Sequence, residues 1–220
     1  MDTAATLRVL AHELRMPTSV IQGYVRMLRE GLLDEQDRDK ALTQIQQATG
    51  RLSELARDAS SVAQWLTAPP NGGAADAPMA TILERAIATS TVTPPPTLAI
   101  PPQLSFTIAT PNVQALVTAF GRLLEAIARD APVDDTLAVQ ARSAGGACDV
   151  LIAPGSAAAA LSMSTPDGPG TEPVTLIRGG LGLTFLLAVA VFEAHGATLW
   201  THAGSRGIIV RLPPKPARPS

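Results

Sequence analysis

The sequence is short of cysteine, net charge and long apolar runs, and each shortage excludes something. One cysteine, Cys148, stands among 220 residues, so no disulfide can form within the chain. A net charge of -2 gives no broad basic surface for nucleic acid or an anionic membrane. The longest apolar run, residues 182–194, is too short for a membrane helix, which needs about 20 residues. No signal peptide pattern opens the chain, so we expect a cytoplasmic protein without a membrane span.

Residues 1–66 have helical periodicity in two segments separated by Gly31 and the acidic stretch 34–37, which predicts a helical hairpin. Apolar residues of the first segment recur at steps of three, four or seven. The second segment alternates steps of three and four, the spacing of a coiled-coil seam. The seam residues are Leu42, Ile45, Thr49, Leu52, Ala56, Ala59, Ala63 and Leu66. One hairpin buries its apolar stripe poorly alone, so we expect two copies to pair as a dimeric four-helix bundle.

The rest of the chain mixes helical and strand patterns. Residues 67–76 are predicted to be a linker because they contain Pro-Pro-Asn-Gly-Gly, and residues 214–220 are predicted to be a loose tail. Between them, helices are predicted at 79–89, 113–129 and 181–194, strands at 98–108, 137–141, 149–152, 198–202 and 207–212, and a loop at 156–178. Residues 77–213 therefore suggest a two-layer α/β sandwich, and the whole chain an α+β fold.

His12 stands apart from the apolar stripe of the first segment. At 100° per residue it lies about 170° from the centre of that stripe, so it should face solvent or a partner. Pro17, five residues on, removes a helix hydrogen bond and bends the helix near the histidine. A lone histidine is most often a structural residue, and residue chemistry by itself leaves the structural and the functional interpretation open.

The run His12-Glu13-Leu14-Arg15-Met16-Pro17, continued to Gly23-Tyr24, resembles the H box of histidine kinases of the HisKA type. The resemblance implies that His12 accepts a phosphoryl group on an imidazole nitrogen. It also implies that Glu13 orients the imidazole ring and accepts its other proton. Without the motif, Glu13 would be interpreted as a solvated surface charge.

Met16 departs from the family pattern, which has Thr or Asn at this place to position water for phosphatase chemistry. A thioether orients water poorly, so we expect that phosphatase activity to be absent. The same face carries small, flexible and basic residues, which we interpret as a docking strip for receiver domains of response regulators, by resemblance to the family. The alternative is a weakly apolar solvent face. The strip comprises Arg8, Arg15, Met16, Ser19, Val20, Gly23 and Met27.

Residues 77–213 resemble the GHKL-type ATP-binding domain of the same family, mainly in element order and in the C-terminal glycine-rich runs. Gly180 and Gly182 match the second glycine box. The residues that bind nucleotide in the family are mostly replaced. Arg122 and Ala126 stand at the two asparagine positions of the N box, and Ala126 offers no oxygen to magnesium. Glu125 is an alternative carboxylate there.

The first glycine box is replaced in the same way. Its match is Ala153-Pro154-Gly155, in which Ala153 stands where the family's aspartate binds adenine. The sequence contains no cluster of metal ligands. We therefore expect ATP binding to be weak or absent, no tightly bound cofactor, and magnesium supplied by a partner receiver domain.

These resemblances favour a dimeric histidine phosphotransferase, similar in plan to proteins of the ChpT kind. It would carry phosphate on His12 between response-regulator receiver domains. Two alternatives stay open: a genuine cytoplasmic histidine kinase with a divergent ATP site, and a non-catalytic pseudokinase that binds and regulates a kinase or regulator.

Overall fold

The computed structural model describes residues 3–67, 75–101, 106–110, 112–174 and 182–213. The helices are α1 Thr3–Arg29, α2 Glu35–Thr67, α3 Met79–Thr89, α4 Val113–Asp130, α5 Gly155–Ser162 and α6 Gly182–Ala194. The strands are β1 Ala75–Pro78, β2 Thr97–Ala99, β3 Thr107–Thr110, β4 Leu137–Ala144, β5 Ala147–Pro154, β6 Thr171–Pro173, β7 Thr198–His202 and β8 Ile208–Leu212. The predicted α+β class, a helical hairpin followed by a sheet with helices, is confirmed. Most of the predicted linker and the predicted tail lie outside the described residues.

Helices α1 and α2 form the hairpin, and the turn between them has a simple chemical basis. Gly31 adopts a φ of 67°, a conformation that glycine reaches without strain. The Asp34 carboxylate then accepts a hydrogen bond from the backbone N–H of Asp37 (2.8 Å) at the start of α2. Over residues 35–60, whose burial is described, α2 buries Ala41, Ala48, Leu55 and Asp58. These buried positions differ from those of the predicted seam, in which Leu42 is 55% exposed.

A six-stranded sheet of order β2-β4-β5-β8-β7-β6 forms the centre of the C-terminal part. Its pairs are antiparallel except β2 with β4. Helices α3, α4 and α6 cover one face, called here the inner face, and share one apolar core with it. Phe120 of α4 and Phe192 of α6 meet edge to face, with ring centroids 4.8 Å apart, inside this core.

Helix α5 covers part of the other face, called here the outer face. Residues 156–178 were predicted to be a loop, and that prediction is wrong at α5 and at β6. The Ala-rich run of α5 has high intrinsic helix propensity, and Ala158 and Leu161 give it an apolar side. That side packs on Leu151 and Trp200. Because both faces of the sheet are covered there, every residue of β5 is buried.

Two strands escaped prediction because they are short. β1 pairs with β3 in a separate two-stranded ribbon, and β6 is added at the edge of the main sheet beside β7. Segments of three or four residues carry too little alternation to be recognised in a sequence. Within the described residues, no helix is both long and apolar enough to cross a membrane.

Helix α6 joins the two parts of the molecule. A helix that is apolar all round has to be buried on all sides. One side of α6 lies in the inner core, and the other places Leu186 and Leu187 against Leu55 of α2. Leu10 and Leu14 of α1 pack against the same cluster. Full burial of one leucine side chain contributes about 1.5–3 kcal/mol, so this contact is a substantial anchor between hairpin and sheet.

Candidate functional site

His12 lies on the exposed side of α1, at the edge of an open cavity of about 320 Å³ between α1 and α2. The cavity is lined by His12, Glu13, Met16, Pro17, Val20, Gln44, Gln47, Ala48 and Arg51. Both helices therefore contribute to the surroundings of the histidine. The cavity is open enough for the imidazole to be reached by a reactive group carried on another protein.

Pro17 is buried within α1. Proline lacks the N–H that would bond the carbonyl of residue 13, so the helix ladder is interrupted beside the histidine. The hydroxyl of Thr18 donates to the carbonyl of Leu14 (2.7 Å), which gives that carbonyl an added partner. The local sequence thus removes a backbone hydrogen bond one residue from His12.

Glu13 has an ion-pair partner on one side and a closely approaching helix on the other. Its Oε2 lies 3.5 Å from Nη2 of Arg51 on α2, and Arg51 also bonds Glu54 (3.3 Å). On the other side is Gly182, the first residue of α6, whose φ is +63°. A Cβ placed on Gly182 would lie 3.1 Å from the same Oε2. The carboxylate is 21% exposed, so it is half-buried at the junction of α1, α2 and α6.

The predicted docking strip lies along the exposed side of α1. Arg8, Arg15, Ser19 and Gly23 are exposed, as are Met16 and Met27, which are 65% and 37% exposed. Val20 is half-buried and belongs to the cavity wall. The strip therefore forms one accessible surface that continues into the cavity of His12. Its use for docking stays a prediction.

The side chains at the two N-box positions contact other parts of the protein. Ala126 is fully buried in the inner core. Nη2 of Arg122 lies 3.4 Å from Oδ1 of Asp58 on α2, and its Nη1 lies 3.5 Å from Glu125. Glu125 also accepts a hydrogen bond from the hydroxyl of Thr91 (3.1 Å). The charged side chains of this network, with Thr91, line a mixed-charge cleft of about 490 Å³ between α2 and α4.

The remaining glycine-box positions do not gather around that cleft. Ala153 belongs to the cluster under α5 on the outer face, so it lies on the opposite side of the sheet from Ala126. Gly155 begins α5, where its N–H donates to the carbonyl of Thr136 (3.0 Å). Gly182 lies against Glu13, and Gly180 is outside the described residues. Of the predicted nucleotide-site remnants, those that the structure describes are therefore not brought together in one pocket.

The other titratable candidates have structural partners. His195 contacts the Thr110 hydroxyl through Nε2 (2.8 Å) and the Val191 carbonyl through Nδ1 (2.7 Å). Burial, with a smaller effect of the Asp149 charge, raises the pKa of Cys148 to about 12, so its thiol is unreactive. Within the ranges that the structure describes, no group of three or more His, Cys, Asp or Glu side chains could hold a metal.

Sequence reasoning missed the α2 side of the cavity. Gln44, Gln47 and Arg51 line it, yet they are not part of the apolar seam that drew attention to α2. A helical wheel would have placed these residues on one side of α2. It would not have shown that this side faces His12, because the rotation of α2 relative to α1 is decided by packing.

Comparison with known proteins agrees with this architecture. Residues 4–64 match the family model described as the His Kinase A (phospho-acceptor) domain. The fold is similar to the histidine kinase AdeS of Acinetobacter baumannii, with a TM-score of 0.57, 15% identity and coverage of 92% of this chain and 97% of that chain. It is similar to the histidine kinase ThkA in complex with the response regulator TrrA, with a TM-score of 0.60, 15% identity and coverage of 96% and 60%.

A third similar structure is full-length ShkA in complex with AMPPNP, with a TM-score of 0.51, 16% identity and coverage of 94% and 45%. At such identities these structures establish the fold, whereas the family model bears on the hairpin itself. Residues 4–64 thus match a HisKA phospho-acceptor domain, and the chain as a whole shares the fold of histidine kinase transmitters.

Proposed function

We propose that this chain is a dimeric histidine phosphotransferase that carries phosphate on His12 between response-regulator receiver domains. An unprotonated imidazole nitrogen of His12 attacks the phosphorus of a receiver's aspartyl phosphate, and the aspartate leaves as a carboxylate. A second receiver then takes the phosphoryl group by the reverse reaction, which restores neutral His12. The magnesium that neutralises the phosphoryl oxygens comes with the receiver, so the chain needs neither ATP nor a metal of its own.

The observation that carries the proposal is that Arg122 and Ala126 occupy the two N-box positions. A magnesium ion requires oxygen ligands, and the buried methyl group of Ala126 provides none. Arg122 is held by Asp58 and Glu125, so its positive charge is already partly neutralised. The cleft is also lined by Arg51, Arg57 and Arg129, so a nucleotide would meet both signs of charge there, but it would have to displace the ion pairs of Arg122 and would find no magnesium ligand at Ala126. We therefore expect little or no ATP-dependent autokinase activity.

The position of α5 supports the same conclusion. In the GHKL-type domain that residues 77–213 resemble, the segment after the first glycine box forms a lid over the nucleotide, and its counterpart here is residues 158–178. Here its first part packs on the outer face of the sheet, away from α4. Arg142 donates to the carbonyls of Ser162 and Ser164 and contacts the buried Asp149 (3.1 Å), which holds this segment in place. A segment held there is poorly placed to cover a ligand on the inner side.

The dimer is supported by the apolar residues that the single hairpin leaves exposed. Leu7, Val25, Leu32 and Leu42 are 59%, 40%, 65% and 55% exposed. A second hairpin packed on these side chains would bury them as a four-helix bundle does.

Receiver domains as partners are supported by the accessible strip that leads to His12 and by its mixture of small, flexible and basic residues. The similar protein ThkA has been crystallised with a response regulator, which illustrates this kind of partnership in the same fold.

The test is phosphate transfer to His12. The purified protein is incubated with radiolabelled Mg-ATP alone and, separately, with a phosphorylated receiver domain, each with the His12→Ala variant as control. The expected result is label from the receiver alone, lost in His12→Ala. Label from ATP alone would instead identify a histidine kinase with a divergent ATP site. The absence of label from every receiver tried would favour a non-catalytic pseudokinase that regulates its partner by binding.

A further inference from the structure

We propose that Arg51 of α2 and the start of α6 at Gly182 together confine the Glu13 carboxylate, the neighbour of His12 in α1, so that the C-terminal part of the chain takes part in the phosphotransfer site. This inference rests on the proposed function. It assigns Arg51 and Gly182 as positioning residues for the reaction, and it gives a domain without intact nucleotide-binding residues a role at His12.

The first support is the contact between α2 and Glu13. The Arg51 guanidinium bonds Glu54 through Nη1 (3.3 Å) and reaches Glu13 through Nη2 (3.5 Å). It is thus held by its own helix while it contacts the carboxylate on α1. Among the described residues that line the His12 cavity, Arg51 is the one with a permanent positive charge. A charge-assisted contact in this half-buried place favours one orientation of a side chain that is otherwise flexible.

The second support is the start of α6. Glycine at position 182 allows the helix to approach Glu13 so closely that a Cβ would stand 3.1–3.3 Å from all three atoms of the carboxylate group. The first turn of a helix carries partial positive charge, which favours a carboxylate at this end. About one turn later, Leu186 and Leu187 are buried against Leu55, so the approach of α6 is fixed by apolar packing.

The consequence concerns His12 directly. Glu13 and His12 line the same cavity, and a carboxylate that accepts one ring proton determines which imidazole nitrogen is free to attack. A freely rotating glutamate would be in position to accept this ring proton for only part of the time. With Arg51 as its partner on one side and the close approach of α6 on the other, Glu13 has fewer orientations open to it, and small misplacements of such groups lower rates strongly.

The experiment uses the full chain and a phosphorylated receiver, and measures both the transfer rate at saturation and the receiver concentration that gives half of it. Arg51→Met should lower the saturated rate on the order of 10- to 100-fold with little change in half-saturation. Arg51→Lys, which keeps the charge, should recover most of the loss. Arg38→Met is the matched control, because Arg38 is exposed on the same helix away from the cavity.

Gly182→Ala provides an independent arm of the same experiment. Its Cβ should displace Glu13 and lower the saturated rate in the same way. Gly145→Ala is its control, since Gly145 has nearly the same φ (+60°) but no atom within 4 Å of a new Cβ. Both variants place an alanine at a positive φ and carry the same backbone strain. Only Gly182→Ala also brings a Cβ against the Glu13 carboxylate.

Wild-type rates in Arg51→Met and Gly182→Ala, or changes confined to half-saturation, would overturn the inference. The imidazole ¹⁵N shifts of His12 give a second readout that needs no partner, and Arg51→Met should change the ratio of the two ring tautomers. If the wild type takes no phosphate from receivers, the proposed function fails, while an unchanged tautomer ratio would refute the positioning role itself.

Discussion

Gly207→Ala tests the packing of α5 on the outer face of the sheet, on which the argument that α5 is poorly placed to cover a nucleotide depends. A Cβ at residue 207 would fall well inside van der Waals contact with Leu161 Cδ1 and Ala153 Cβ, and would lie 3.0 Å from Ala153 Cα. Leu161 can rotate, but the backbone of β5 cannot retreat from a sheet that is buried on both faces. Overpacking of this kind costs about 1–3 kcal/mol. In a chain of this size that lowers the melting temperature by about 2–4 °C per kcal/mol.

The assay is thermal or denaturant unfolding of the single variants and of the double variant with Leu161→Ala. Removal of the fully buried Leu161 side chain costs about 2–5 kcal/mol by itself. If α5 lies where the structure has it, the double variant should be less destabilised than the sum, by about 1 kcal/mol, because Leu161→Ala makes room for the new Cβ. A stability change below about 0.5 kcal/mol in Gly207→Ala, or strict additivity, would refute this position of α5.

Three further predictions concern the dimer, the histidine site and the thiol. Leu42→Glu should convert a dimer into monomers in light scattering, because a charge would enter the proposed seam; a dimer that persists would place the interface elsewhere. Met16→Thr should increase the loss of phosphate from a phosphorylated receiver, measured against His12→Ala; strong phosphatase activity in the unmodified protein would contradict this reasoning. Cys148 should resist alkylation at pH 8 in the folded state and react at once in denaturant, since burial raises the pKa of its thiol from 9.0 to about 12.

The same pKa shift has a consequence for stability. Above pH 9 the unfolded thiol loses its proton while the folded thiol keeps it, so the contribution of Cys148 is complete below pH 9 and is lost as the pH rises towards about 12. A Cys148→Ala variant should show a shallower loss of stability over this range. An identical pH profile in both proteins would contradict the shift.

Much of the fold was predictable because the local sequence pattern and the tertiary packing favour the same secondary structure. The helix predicted at 79–89 has those bounds, and the helices predicted at 113–129 and 181–194 differ from α4 and α6 by one residue. These segments carry strong periodicity or uninterrupted apolar character. α5 was missed because its Ala-Ser-Gly composition also suits a loop, and its apolar side has only Ala158 and Leu161. Its burial depends on a sheet face formed by residues distant in the chain.

For the candidate site, the sequence by itself predicted which residue would carry the proposed chemistry. The run from His12 to Tyr24 names the histidine, its neighbouring carboxylate and the proline, and the helical period places His12 away from the apolar stripe. That the side chain at Ala126 offers no oxygen to a magnesium ion also follows from the sequence alone. Such features depend on residues within a few turns of one another, so a linear pattern records them.

Only the tertiary structure decided what surrounds these residues. Arg51 lies 38 positions from Glu13, and Gly182 comes from the far part of the chain. Packing of α2 on α1 brings the first to the Glu13 carboxylate, and packing of α6 against Leu55 brings the second. The same packing gives Arg122 its partner Asp58, and the β-sheet separates Ala153 from Ala126. The physical reason is that burial of apolar side chains selects how helices and sheet meet. Those contacts depend on distant residues together, which no local pattern contains.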